Sequence, residues 1–144
     1  MATRRRARSV ALQMLFQFEV SDETADAVVS LYRSSFGEGN LPDEYSIELF
    51  MGVASNLSEI DGIIENVSEN WRLERMSRVD RGILRIGVQE IVHQDDIPPK
   101  VAINEAVELA KNYGTAESAS FVNGILDKVA QEFEKDDESP QEAP

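Results

Sequence analysis

Four arginines stand close together near the start of the chain, and their type and spacing suit the binding of an anion. Arg4, Arg5, Arg6 and Arg8 have no acidic residue among them. A guanidinium presents a planar fork of N–H donors that matches phosphate oxygens, and the exposed amides of a helix N-terminus suit the same group. The cluster therefore indicates a site for the phosphates of a nucleic acid. The alternative is a basic segment that is only solvated.

The distribution of charge decides how the net charge of −13 is interpreted. Residues 1–8 hold the four arginines and no acid, whereas the rest of the chain has 10 basic residues against 27 acidic ones. Such asymmetry predicts a basic patch on an acidic body. The acidic body should suppress indiscriminate binding to polyanions. We therefore expect contact with nucleic acid to be local and to depend on a partner.

The composition argues against catalysis and against metal binding. The chain has no cysteine and one histidine, His93, so disulfides, thiolate sites and multi-histidine metal sites are excluded. No apolar run approaches the ~20 residues of a membrane span, and no signal peptide is visible. We expect no enzymatic activity, no cofactor, no metal and no membrane association. A reducing, cytoplasmic location suits a chain without cysteine.

Helical periodicity defines the elements that must position the arginines. Apolar residues recur at helical spacing in about seven segments, and no segment alternates at a period of two, so we predict an all-α domain. The arginines open the first helix, in which Arg5, Leu12 and Phe16 form a line beside the apolar face. Residues 1–133 should form a single domain. Residues 134–144 have little to bury and should be an acidic disordered tail.

The segment Ser77–Val92 is predicted to be the central helix. Ser77 and Asp80 have the spacing of a capping box, in which each side chain binds the other residue's backbone amide. Apolar residues cover more than half of the helix circumference, which is typical of a helix with neighbours on several sides. The remaining strip is polar and should reach water; it holds Arg78, Arg81, Arg85 and Gln89.

Three segments, in order, carry a resemblance to a known family. They are RRRARSVALQMLFQ at Arg4–Gln17, DRGILRIG at Asp80–Gly87, and DIPPKVAINEAVELAKNYGTAESASFVNGILD at Asp96–Asp127. Together they resemble the NusB family of bacterial transcription antitermination factors. The resemblance implies two small helical bundles and an adaptor function. With NusE, a small-subunit ribosomal protein, the family binds the single-stranded boxA element of nascent RNA. That complex joins NusA, NusG and RNA polymerase to prevent premature termination, notably of ribosomal RNA.

The resemblance also implies roles for individual residues. The implied RNA-binding residues are Arg4, Arg5, Arg6, Arg8, Phe16, Glu117 and Phe121. The implied partner-binding residues are Glu74 and Asp80, to which we add the neighbouring Arg81. The helix that follows Glu117 should lie beside the arginines. Structural alternatives stay open: Phe16 and Phe121 as core residues, Asp80 as a capping residue only, and the arginines of the central helix as a solvated edge. Glu105 is expected on a solvated face and is assigned no ligand.

Two other classes of function compete with the RNA adaptor. One is a purely protein-binding helical module whose arginines face another protein. The other is a detached relative of the RNA-binding N-terminal domain of RNA methyltransferases, because similar domains occur fused to such enzymes. Binding of RNA in the absence of any partner would speak against the first alternative.

Overall fold

The computed structural model describes residues 3–36, 42–69 and 72–133. Within these ranges the helices are α1 (Arg4–Val20), α2 (Ala25–Phe36), α3 (Glu44–Ser55), α4 (Leu57–Val67), α5 (Arg78–His93), α6 (Pro99–Tyr113) and α7 (Ser118–Glu132). A single 3₁₀ turn, Leu73–Arg75, precedes α5. The described ranges contain no strand, so the predicted all-α class is confirmed. The predicted tail, residues 134–144, lies outside them. None of the described helices is long and apolar enough to cross a membrane.

The helices form two groups that share one core. Helices α1, α2 and α3 pack on one another, and α4, α5, α6 and α7 form the second group. This agrees with the two small bundles that the resemblance implied. Helix α5 joins the groups because it also packs against α1 and α3. Arg8, near the start of α1, meets Glu90, near the end of α5, and Glu19 at the end of α1 meets Arg81. Helices α1 and α5 therefore run antiparallel.

Helix α5 occupies the centre of the domain, as its sequence predicted. Its most deeply buried apolar side chains are Ile83, Leu84, Ile86, Val88 and Ile91. Two glycines let neighbouring helices approach closely. A Cβ on Gly87 would lie 2.5 Å from Leu126 Cδ1 in α7, and a Cβ on Gly82 would lie 2.8 Å from Leu12 Cδ1 in α1. A side chain at either position would force the facing leucine to move.

The start of α5 is capped in one direction only. Ser77 Oγ accepts a hydrogen bond from the amide of Asp80 at 3.0 Å, which satisfies one of the unpaired amides at the helix start. Among the described residues, the carboxylate of Asp80 makes no return bond, and its Oδ1 is buried without a hydrogen-bond partner. The predicted capping box is thus half formed, and one oxygen of Asp80 has unused capacity as an acceptor.

The polar strip of α5 is not the water-facing edge that we expected. The side chains of Arg81 and Arg85 are each only 12% exposed. Arg81 Nε donates to Glu19 of α1 at 2.9 Å, and Arg85 donates to both oxygens of Asp61 of α4 at 2.8 and 2.9 Å. The prediction was wrong because neighbouring helices supply carboxylates, which allow these arginines to lie between helices. Of the three arginines, Arg78 alone remains well exposed.

Candidate nucleic-acid interface

The four arginines at the start of α1 do not form a uniform cluster. Arg4, Arg5 and Arg6 are exposed, whereas Arg8 is 3% exposed. The difference depends on the neighbouring helix, because Glu90 of α5 supplies a buried carboxylate to Arg8. Three arginines are therefore accessible from solvent.

Arg8 is enclosed by a carboxylate and a tyrosine. Its Nε donates to both oxygens of Glu90, at 3.0 and 2.8 Å, and the hydroxyl of Tyr45 donates to the same carboxylate. Burial raises the pKa of Glu90, while the charge of Arg8 acts in the opposite direction. Burial, together with the hydrogen bond to Glu90, raises the pKa of Tyr45. This enclosure argues against the direct RNA contact predicted for Arg8, since no phosphate can reach its guanidinium.

Two of the three exposed arginines are paired with acids. Arg5 Nε and Nη2 each lie 2.9 Å from an oxygen of Glu105 in α6. The hydrogen bond from Arg5 is the main cause of a lowered pKa at Glu105. Arg4 Nη2 lies 3.2 Å from Asp96 Oδ2. Within the described ranges Arg6 makes no ion pair, so it is the arginine most available to a phosphate.

Two exposed aromatic residues, one in α1 and one in α6, line the same cavity. Phe16 is 49% exposed and Tyr113, in the last turn of α6, is 47% exposed. Both line an open cavity of about 270 Å³, with Arg78 at its edge. Arg5 and Phe16 lie on one line of α1, separated by about 16 Å along the axis. Phe16 is therefore not a core residue.

The exposure of Tyr113 was not predicted from the sequence. Its position continues the buried face of α6, which contains Leu109 and Ala110. The signal that could have revealed it is its place in the final helical turn, directly before Gly114. A side chain in the last turn extends beyond the core, even though its position continues the buried face of the helix.

Glu117 and Phe121 line a second concave surface at the start of α7. This concavity measures about 360 Å³ and is also lined by Asp80 and Arg75. Glu117 is exposed and makes no side-chain cap to α7, whereas Phe121 is half-buried and packs in part against the core. Residues assigned to RNA and to the partner thus line a single surface.

Helix α7 does not begin beside the arginines, contrary to what the resemblance led us to expect. Glu117 shares a concavity with Asp80 near the start of α5, while Arg8 is held by Glu90 near the end of α5. The segment of α5 from Asp80 to Glu90 is about 15 Å long. A ligand that contacts both the arginines and Glu117 must therefore extend along the domain.

The residues assigned to the partner differ in accessibility. Glu74 is exposed on the 3₁₀ turn before α5. Arg81 lies beneath this turn, and its Nη1 donates to the carbonyl oxygens of Leu73 at 2.8 Å and Met76 at 3.0 Å. With its Nε bound to Glu19, Arg81 ties the turn to α1. Arg81 is therefore largely enclosed and holds in place the turn that carries Glu74.

The fold and its surface define a class: a two-bundle helical domain whose first helix presents exposed arginines and an exposed aromatic residue. No group of three or more potential metal ligands occurs in the part of the chain that the structure describes. The sequence matches the model of the NusB family over residues 5–131. The chain belongs to the NusB family, as the resemblance implied. This family consists of transcription antitermination factors, which are not enzymes, in agreement with the expectation from composition.

Curated relatives and solved structures support the same assignment. Transcription antitermination protein NusB of Myxococcus xanthus is 48% identical over 139 residues, which cover 94% of this chain and 99% of the relative. NusB of Acetivibrio thermocellus is 44% identical, over 89% and 88% of the two chains. NusB of T. maritima has a TM-score of 0.81 at 38% identity, covering 94% and 96%. A structure of antitermination factors NusB and NusE with double-stranded RNA has a TM-score of 0.80 at 26% identity, covering 90% and 97%.

Proposed function

We propose that this chain is a transcription antitermination adaptor that binds single-stranded boxA RNA in nascent ribosomal transcripts together with NusE. The observation that carries the proposal is that α1 exposes Arg5 at its start and Phe16 about 16 Å further along its axis. The related structure of NusB and NusE with double-stranded RNA supports the choice of NusE and RNA as ligands. In the cytoplasm, the resulting complex joins NusA, NusG and RNA polymerase and helps the polymerase to avoid premature termination.

The arginines supply the attraction to phosphate. Arg6 binds phosphate directly, since no described carboxylate neutralises it, and Arg4 and Arg5 add two further cations beside it. Contacts of this kind do not distinguish sequences, and they weaken as the salt concentration rises. Because the rest of the chain is acidic, RNA binding by the isolated protein should be weak.

The aromatic side chains supply the contacts to bases. Phe16 and Tyr113 border one cavity with much of each ring exposed, and such rings stack on bases that are not paired. Bases in a duplex already stack on one another, so this feature favours single-stranded RNA. Phe121 adds a half-buried ring on the second concave surface, at the start of α7.

The partner binds at the start of α5. Asp80 and Glu117 line the same concavity, and Glu74 is exposed on the turn just before it. Carboxylates in this arrangement suit the basic side chains of a ribosomal protein. The buried Oδ1 of Asp80, which has no hydrogen-bond partner among the residues that the structure describes, can accept a bond from such a group after a small shift of the side chain.

The surfaces for partner and RNA adjoin at this concavity, so the two ligands should bind cooperatively. NusE placed against Asp80 lies next to Glu117 and Phe121, where its basic residues offset the negative charge that repels RNA. By linkage, RNA must then raise the affinity for NusE by the same factor.

The test is an RNA-binding titration by fluorescence anisotropy. A boxA-like single strand, a scrambled strand and a duplex are compared with and without NusE. We expect boxA to bind best and NusE to increase its affinity. Arg6→Ala should weaken all RNAs and reduce the slope of log affinity against log salt by up to about 0.7. The control is Arg33→Ala, which removes an exposed arginine from α2.

Two results would contradict the proposal. Equal RNA affinity with and without NusE would show that the two ligands do not bind cooperatively. Binding of NusE without detectable RNA binding under any condition would favour the purely protein-binding module.

A further inference from the structure

We propose that Glu105 belongs to the RNA site as an internal competitor, whose carboxylate occupies Arg5 until an RNA phosphate takes its place. This inference rests on the proposed function and concerns how that site is controlled. It gives a role to a residue for which the sequence predicted a solvated face and no ligand.

The geometry of the pair is that of a phosphate contact. Arg5 Nε and Nη2 donate to the two oxygens of Glu105, both at 2.9 Å. A phosphate uses the same two-point arrangement on a guanidinium. Glu105 therefore fills the edge of Arg5 that would otherwise bind RNA.

The carboxylate is held more firmly than the arginine. The side chain of Glu105 is 17% exposed, whereas that of Arg5 extends into solvent. Arg8 Nη1, itself fixed by Glu90, lies 3.5 Å from Glu105 Oε1. Glu105 is consequently anchored between α1 and α6, so that Arg5 is the member of the pair that can change partners.

The pair weakens RNA binding whichever edge of Arg5 the phosphate uses. If the phosphate takes the edge that faces Glu105, the existing ion pair must break. If the phosphate takes the other edge, it binds beside a carboxylate that cancels the charge of Arg5. An exposed ion pair of this kind corresponds to as much as about a fivefold change in an equilibrium constant.

The decisive variant is Glu105→Gln, measured with the boxA-like single strand. We expect affinity to rise about two- to fivefold at low salt, where screening is least. The slope of log affinity against log salt should steepen by up to about 0.7, as for one added phosphate contact. In an Arg5→Ala background the same substitution should change nothing.

The matched control is Glu108→Gln. Glu108 lies on α6 as well, and its loss changes the net charge equally. Its carboxylate lies 3.7 Å from Lys111 and acts on Arg5 only through space, without the hydrogen bonds that Glu105 accepts, so Glu108→Gln should have a smaller effect. Thermal unfolding confirms that each variant is folded. Glu105→Asp retains the charge but shortens the reach to Arg5, so it should tighten RNA binding less than Glu105→Gln does.

The inference is overturned if Glu105→Gln binds RNA no tighter than the parent, if Glu108→Gln has the same effect, or if the effect persists without Arg5. Weaker binding by Glu105→Gln would mean that Glu105 orients Arg5 for RNA. Arg6→Ala separates this failure from failure of the proposed function. If Arg6→Ala weakens RNA binding while Glu105→Gln leaves it unchanged, only the present inference fails.

Discussion

Arg8 Nε in α1 lies 3.0 and 2.8 Å from the two carboxylate oxygens of Glu90 in α5, and both side chains are almost wholly buried. The pair joins the two helical bundles at their common boundary. Loss of one partner from a buried ion pair typically costs about 3–5 kcal/mol, because the other charge stays buried. We expect a loss of this size in the unfolding free energy of Arg8→Ala, measured by urea denaturation. Arg5→Ala, which removes an exposed arginine, should unfold almost as the parent does.

The pH dependence of stability should report on Glu90. Burial raises the pKa of its carboxyl above the ordinary value of 4.5, and Arg8 and Tyr45 offset this only in part. Above pH 4.5 the folded state therefore binds more protons than the unfolded state. The resulting stabilisation is fully present below this pH and is lost as the pH rises through the folded-state pKa.

Glu90→Gln removes this titration and so isolates it. The unfolding free energy of the parent minus that of Glu90→Gln should fall as the pH rises from about 4.5 towards neutrality. Urea titrations of both proteins at several pH values measure the difference. A difference that stays constant, or that grows with pH, would show that Glu90 is not destabilised by its burial.

Phe16 and Tyr113 should affect RNA binding without affecting the fold. Both rings are about half exposed, so Phe16→Ala and Tyr113→Ala should leave the thermal midpoint nearly unchanged. Loss of one base stacking on an aromatic ring costs roughly 1–3 kcal/mol, which is about a 5- to 150-fold loss of affinity. Val20→Ala is the control, because Val20 is an exposed apolar residue one turn beyond Phe16 that does not line the cavity. Equal effects of all three variants would mean that the cavity is not a base-binding site.

Arg81 should affect NusE binding through the turn that carries Glu74. Arg81→Ala removes two hydrogen bonds to carbonyl oxygens of the turn and one to Glu19. NusE affinity should therefore fall together with protection of the turn amides in hydrogen exchange. Glu74→Gln should lower NusE affinity while leaving that protection intact. If Arg81→Ala binds NusE normally although the turn has lost protection, the position of the turn does not matter for the partner.

The helices could be predicted because their signals are local. Apolar periodicity and caps lie within each segment, so α1 and the central position of α5 followed directly from the sequence. The partners of the arginines could not be predicted, because pairing between distant segments is set by packing. Arg81 looked like a solvated edge until α1 supplied Glu19. The sequence contained one indication of a buried charge. Glu90 is a charged residue directly followed by Ile91 in a helix that is apolar on most sides.

The sequence separation between the arginines and their carboxylate partners determines the order in which they are synthesised. Glu90 and Glu105 follow their arginine partners by 82 and 100 residues. At 5–20 residues per second, translation needs roughly 4–20 s to supply them after the arginines have been added. Throughout this interval α1 carries its basic residues without the carboxylates that later enclose or neutralise them. Helix α1 is thus made before α5 and α6 but reaches its native packing only after them.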